Sequence, residues 1–138
     1  VIYITDAVYS REPMEATEPL VGEMLVRLDT RQAAIESNNG GRGFARAVEK
    51  LLLDEYVSNF THIESFFQGA NKVARIKSNA TWVQEHIYYP RNWQNKWPEY
   101  YLAMKTYQSN GKNAHDDGPD ATTGICEKMG QDVDDWLY

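Results

Sequence analysis

The chain has 138 residues, enough for one domain with a sizeable core, and its 42% hydrophobic and 25% charged content is that of a globular protein. No apolar run approaches the roughly 20 residues of a membrane-spanning helix, and no basic stretch followed by an apolar one opens the chain, so neither a span nor secretion is expected. A net charge of −6 argues against a protein that coats nucleic acid by charge alone.

That charge is uneven. Residues 1–39 hold seven acids and three bases, residues 40–115 ten bases and six acids, and residues 116–138 seven acids and one base. An acidic site can still bind a phosphodiester when metal ions neutralise it. The plain alternative is a solvated surface with no nucleic-acid role. A single cysteine, Cys126, excludes a disulfide within the chain and fits a reducing compartment.

Residues 1–9 are rich in β-branched and aromatic residues from the first, with Asp6 breaking the run, and read as a strand. Thr17, Glu18 and Pro19 form a helix start, and Leu20, Val21, Met24, Leu25 and Leu28 follow at helical spacing. Residues 32–35 are a short buried-type strand ending at Glu36. The cluster Ser37-Asn38-Asn39-Gly40-Gly41 then turns into a second amphipathic helix through Phe44, Ala47, Val48, Leu51 and Leu52. Strand, helix, strand and helix in that order predict an α/β fold with parallel strands.

Further on, residues 57–67 read as a strand, 71–79 as a short basic helix or turn, and 86–89 as a strand ending before Pro90. The stripe of Trp97, Tyr100, Tyr101, Met104 and Tyr107 predicts a helix from Pro98, its aromatic side packed in the core rather than stacked on bases. A loop over 109–114 leads to His115-Asp116-Asp117-Gly118-Pro119-Asp120-Ala121. Pro119 suits a first helical turn, and Ala121, Ile125 and Met129 continue at helical spacing. The tail, 130–138, is acidic and ends in Trp136, Leu137 and Tyr138. A single domain over 1–138 is expected.

Two acidic settings stand out. Asp116, Asp117 and Asp120 crowd a helix N-terminus, where the helix dipole offsets about 0.3–1 kcal/mol of repulsion per charge. A hard cation such as Mg²⁺ or Mn²⁺ would offset more. The alternative is a solvated acidic cap. Glu36 lies at the C-terminal end of a predicted parallel strand, the edge where open α/β sheets bind ligands. Its alternative is a first-turn acid or a salt-bridge partner. Lys72, Arg75 and Lys77 are candidates for phosphate contacts, or else form a basic solvated turn, and Arg42 joins them as a candidate DNA contact. His62, His86 and His115 lack zinc-ligand spacing. Cys126 reads as a small core residue.

The motifs Ile35-Glu36-Ser37-Asn38-Asn39-Gly40-Gly41, Lys72-Val73-Ala74-Arg75-Ile76 and His115-Asp116-Asp117-Gly118-Pro119-Asp120-Ala121 follow one another over nearly the whole chain. In order and spacing they resemble the C-terminal nuclease domain of phage terminase large subunits. The resemblance implies an RNase H-like mixed central sheet flanked by helices, and two-metal cutting of concatemeric double-stranded DNA during genome packaging. It implies Glu36 with Asp117 and/or Asp120 as ligands of two Mg²⁺ or Mn²⁺ ions, with Asp6, Asp116 and His115 as supporting groups. A first strand carrying a leading metal-binding Asp is then expected ahead of residue 1, making this chain a fragment whose activity would depend on the longer protein. An N-terminal ATPase domain, a small terminase subunit and a portal protein are the implied partners, and the host cytoplasm the implied location. A resolvase- or integrase-type nuclease and a non-catalytic packaging or interaction module are the competing readings.

Overall fold

The computed structural model describes the backbone of residues 1–137 and the side chains of residues 1–129, so the side chains of the acidic tail lie outside the described residues. The elements run β1 (Ile2–Tyr3), α1 (Met14–Arg27), β2 (Gln32–Glu36), α2 (Gly41–Glu55), β3 (His62–Phe66), α3 (Lys72–His86), β4 (Ile87–Tyr88), α4 (Trp93–Lys96), α5 (Pro98–Thr106) and α6 (Asp117–Leu137). The protein is mixed α/β, rich in helix, with two small parallel sheets. Among the described residues no helix is long and apolar enough to cross a membrane. By packing, the chain comprises two compact units: residues 10–69, and residues 1–9 together with 70–138.

In the unit of residues 10–69, β2 and β3 pair in parallel from Gln32↔His62 to Glu36↔Phe66, with α2 as the crossover. Parallel neighbours need such a connection, which the alternation of elements had indicated. Leu25 of α1 packs with Val48 and Leu52 of α2, flanked by Val21, Ala33, Phe44 and Ile63. Helix α1 begins at Met14, three residues before the expected start. Pro13 caps it, its carbonyl accepting from the Ala16 and Thr17 amides at 2.9 and 3.3 Å. Pro19 thus lies inside the helix, where it removes one backbone bond.

Both helices of this unit end in left-handed residues. Asp29 (φ 48°) closes α1, with its own amide on the Val26 carbonyl and the Thr30 amide on the Leu25 carbonyl, a Schellman arrangement. Val57 (φ 48°) follows α2, and its side chain is 88% exposed. A β-branched residue in this region is strained and here has little packing to compensate. Val57→Gly is therefore expected to raise stability by about 1 kcal/mol, read as a higher urea midpoint at unchanged slope. A lowered midpoint would mean that the Val57 side chain stabilises the fold.

In the other unit, β1 pairs in parallel with β4, Ile2↔Ile87 and Tyr3↔Tyr88, and the Ile4 amide extends the ladder to the Tyr88 carbonyl at 2.9 Å. The strand expected over 1–9 thus contributes only its first residues. Asp6 Oδ1 accepts the Ala7 amide at 2.8 Å, a local bond that competes with strand pairing. Helix α3 is longer than the short element expected. Asn71 caps it by accepting the Ala74 amide at 3.0 Å, and it continues to His86, leaving only Ile87 and Tyr88 as strand.

Helix α5 starts at Pro98 and buries Tyr100 and Ala103, with Trp97 buried just before it; Tyr101, Met104 and Tyr107 of the stripe are half-buried. Tyr89 stacks on Trp93 at 3.9 Å, and the Tyr100 hydroxyl bonds both Tyr89 (3.0 Å) and Thr122 (2.6 Å). Helix α6 buries Gly118, Thr122 and Cys126 rather than the Ala121, Ile125, Met129 stripe, one position from the apolar spacing. Thr122 and Thr123 tolerate burial because their hydroxyls donate to the Gly118 and Pro119 carbonyls one turn back.

Candidate functional site

The N-terminus of α6 meets α3 through charge. The Lys72 ammonium lies 3.3 Å from Asp116 Oδ1, 3.7 Å from Asp117 Oδ1 and 3.5 Å from Asp120 Oδ2. One cation thus gathers the three aspartates that the sequence crowds together. Partial burial pulls the Lys72 pKa down, but the Asp116 hydrogen bond and the charges of Asp120, Asp116 and Asp117 outweigh it and hold the pKa above the usual lysine value.

The three carboxylates differ in setting. The Asp117 side chain is 87% exposed, whereas that of Asp120 is 12% exposed. The Asp116 carbonyl accepts the Asp120 amide at 2.9 Å, so Asp116 also starts the helix. Arg75, one turn beyond Lys72 on α3, is 9% exposed and donates from Nη1 to Asp120 Oδ1 at 2.7 Å. Its Nε lies 3.2 Å from both Glu127 oxygens, and its Nη2 donates to Glu127 Oε1. The Glu127 bond outweighs burial and, with Asp120, pushes the guanidinium pKa up.

Nearby, the Tyr107 hydroxyl is buried without a hydrogen-bond partner among the described residues. Burial first, then the charges of Asp116 and Asp120, raises its pKa. Behind the network the Cys126 thiol donates to Asn79 Oδ1 at 3.1 Å, and burial followed by the charge of Glu127 raises its pKa. These features identify Cys126 as a packed, protonated thiol rather than a nucleophile.

Glu36 belongs to the other unit and is described there. It ends β2 as expected, half-buried, opposite Phe66. A single 3-10 turn, Asn38–Gly40, follows and passes into α2 through Asn39 (φ 52°) and Gly40 (φ 86°). The turn is tied to the strand beside it. The Ser37 amide and hydroxyl both donate to the Phe66 carbonyl, at 2.7 and 3.0 Å. Asn38 donates from Nδ2 to the Gln68 carbonyl at 2.9 Å and accepts the Gln68 amide on Oδ1 at 3.0 Å. Its side-chain amide imitates a backbone and lengthens the ladder past Glu36. Spacing alone had marked Asn38 only as a turn residue.

Of the remaining candidates, Arg42, Lys77 and His115 are exposed, and Asp6 is half-buried in the segment after β1. Lys72 and Arg75, expected to face phosphate, have carboxylates of α6 as their partners. Glu127 and Tyr107 were not recognised as site residues. A signal for Glu127 was present, since it follows Asp120 by seven residues and so shares its face of α6.

Among the described residues no group of three or more His, Cys, Asp or Glu side chains is arranged to hold a metal ion. The α6 aspartates are spaced around an ammonium at 3.3–3.7 Å. Direct ligation of Mg²⁺ needs about 2.0–2.1 Å. Carboxylate oxygens are the donor type that a hard divalent ion prefers, but in this arrangement Lys72 and Arg75 are their counter-ions. Comparison with protein-family models, with curated proteins and with solved structures finds no match.

Proposed function

We propose that this chain is the metal-dependent endonuclease domain of a phage DNA-packaging terminase large subunit, RNase H-like in arrangement, which hydrolyses concatemeric double-stranded DNA in the host cytoplasm. The observation that carries the reading is the convergence of Asp116, Asp117 and Asp120 on one cationic group at the α6 N-terminus. The position of Glu36 at the C-terminal end of a parallel strand, before a braced turn, supports it. So does the order of the three motifs along the chain. The ATPase domain, small subunit and portal protein enter as partners through the resemblance.

By the resemblance, Glu36, Asp117 and Asp120 are the residues that would hold Mg²⁺ or Mn²⁺. When bound, such ions supply Lewis-acid stabilisation to the attacking and leaving oxygens of an in-line displacement. Asp120 is oriented by Arg75, and Asp117 is exposed to solvent. Arg42 and Lys77, both exposed, would meet DNA phosphates. Lys72 offsets part of the carboxylate repulsion.

Glu36→Ala in the intact protein is expected to abolish divalent-metal-dependent cutting of linear duplex DNA, leaving the melting temperature within a few degrees of the parent. Undiminished cutting would remove the assignment. One observation favours a second reading. The basic residues of α3 face the acidic end of α6, as they would in a non-catalytic interaction module whose charges join two helices. That module predicts neither metal-dependent cutting nor any effect of Mn²⁺ on stability.

A further inference from the structure

We propose that the cavity between the end of α2 and the start of β3 is a docking site for a partner polypeptide, which seats one arginine or lysine side chain in it. The inference is independent of the nuclease reading. The cavity measures about 290 Å³, room for one long side chain rather than a drug-sized molecule. Glu49, Leu52 and Leu53 line it from α2; at i, i+3 and i+4 they share one helix face. Asn59, Phe60 and His62 line it from the following loop and the first residue of β3. The loop is braced. The Ser58 amide donates to the Leu52 carbonyl at 3.0 Å, and the Ser58 hydroxyl accepts the Phe60 amide at 3.3 Å. The Thr61 hydroxyl donates to the Thr30 carbonyl at 2.6 Å, and the His62 amide to the Arg31 carbonyl at 2.7 Å. The cost of ordering this wall is therefore met before a partner arrives. Left-handed Val57 is the strained link by which the chain leaves α2, and such strain persists at ligand clamps.

Charge selects the guest. Among the described residues Glu49 is the one carboxylate on the lining, no lysine or arginine lines the cavity, and the Glu49 side chain has no hydrogen-bond or ion-pair partner. A carboxylate beside an apolar floor favours a cation on an apolar stem, which lysine and arginine side chains supply. Residues 49–55 of α2 add Asp54 and Glu55 against Lys50, which also favours a basic partner. Arg31 is the nearest opposing charge, its guanidinium 5.9 Å from the Phe60 ring centre. Leu53, Val57 and Phe60 are each at least half exposed and carry the apolar surface past the cavity. A free amine would leave that surface wet. A polypeptide covers it with apolar residues beside the seated cation, as interfaces do around a central anchor.

The test is a titration of the isotope-labelled full chain, read by the NMR shifts of its backbone amides. The probes are a short blocked peptide with an arginine between two leucines and a serine at each end, the same peptide with glutamate in place of arginine, and acetyl-arginine amide. The arginine peptide is expected to shift amides of residues 49–63 and to bind about tenfold more tightly than the glutamate peptide. Acetyl-arginine amide should reach the same amides about tenfold more weakly than the arginine peptide, because it leaves the apolar surface uncovered. Glu49→Gln, at an exposed position, should keep the melting temperature and erase the preference between the two peptides. No shifts, shifts lying elsewhere, equal binding of the two peptides, or a preference that survives in folded Glu49→Gln each overturn the inference. Acetyl-arginine amide binding as tightly as the peptide overturns the polypeptide partner and makes the cavity a site for small organic cations.

Discussion

Gly41→Ala is expected to destabilise the unit of residues 10–69 by about 3 kcal/mol, or to prevent its folding. Gly41 has ordinary helical dihedrals, so the demand is for space rather than for an unusual backbone. A Cβ built there would lie 1.6 Å from the Glu36 carbonyl oxygen and 2.7 Å from its carbon. Both are backbone atoms, and the ladder with Phe66 and the Asn38–Gln68 pair hold that segment in place. Gly43 is the control. Two residues further along α2, nothing lies within 4 Å of its built Cβ. Gly43→Ala should therefore stabilise by about 0.5–1 kcal/mol, through helix propensity alone. Urea unfolding of both variants checks the pair. Equal effects would mean that the Glu36 turn is looser than its hydrogen bonds indicate. Any backbone shift that relieves the clash also moves Glu36, a residue of the proposed site.

Arg75→Met is expected to cost about 3 kcal/mol, because it leaves carboxylates of α6 without their principal counter-charge. Asp120 matters most. It is 12% exposed and loses a 2.7 Å charged bond, while Lys72 at 3.5 Å must also serve Asp116 and Asp117. Glu127, more exposed, recovers part of its solvation. Adding Asp120→Asn to Arg75→Met should return a measurable part of the loss, since the double variant no longer strands a charge. Tryptophan fluorescence during urea unfolding reads both. A loss below about 1 kcal/mol would place this pair with weak surface salt bridges.

Local chemistry made much of the fold legible. The end of β2 at Glu36, the parallel pairing of β2 with β3, Pro98 at the start of α5 and Pro119 in the first turn of α6 follow from β-branched runs, alternation and proline position. The burial of Cys126, and of Trp97 and Tyr100 from the aromatic stripe, follows from residue type and period. What escaped prediction depended on partners distant in sequence. The buried face of α6 is turned by one residue because two threonines satisfy their own hydroxyls, which a hydrophobicity pattern does not count. Residues 71–79 read as a short basic helix or turn, its cations facing phosphate or solvent. Arg75 is instead buried and bonded to Glu127, 52 residues away. Asn38 looked like a turn former until its side chain was seen to complete a ladder with Gln68.

The candidate site was legible in part for the same reason. Three aspartates at a helix N-terminus announce crowded charge, and α6 begins at Asp117 as that motif indicates. Their convergence on Lys72, and the sharing of Arg75 between Asp120 and Glu127, required knowing that α3 packs on α6.

The central claim is tested most directly by anomalous scattering from crystals of the intact protein grown with Mn²⁺. The account predicts a peak ligated by Asp117 or Asp120, with the Lys72 ammonium withdrawn from the three aspartates. No peak, with Lys72 still seated between Asp116, Asp117 and Asp120, would contradict it and identify the acidic end of α6 as a docking device for α3.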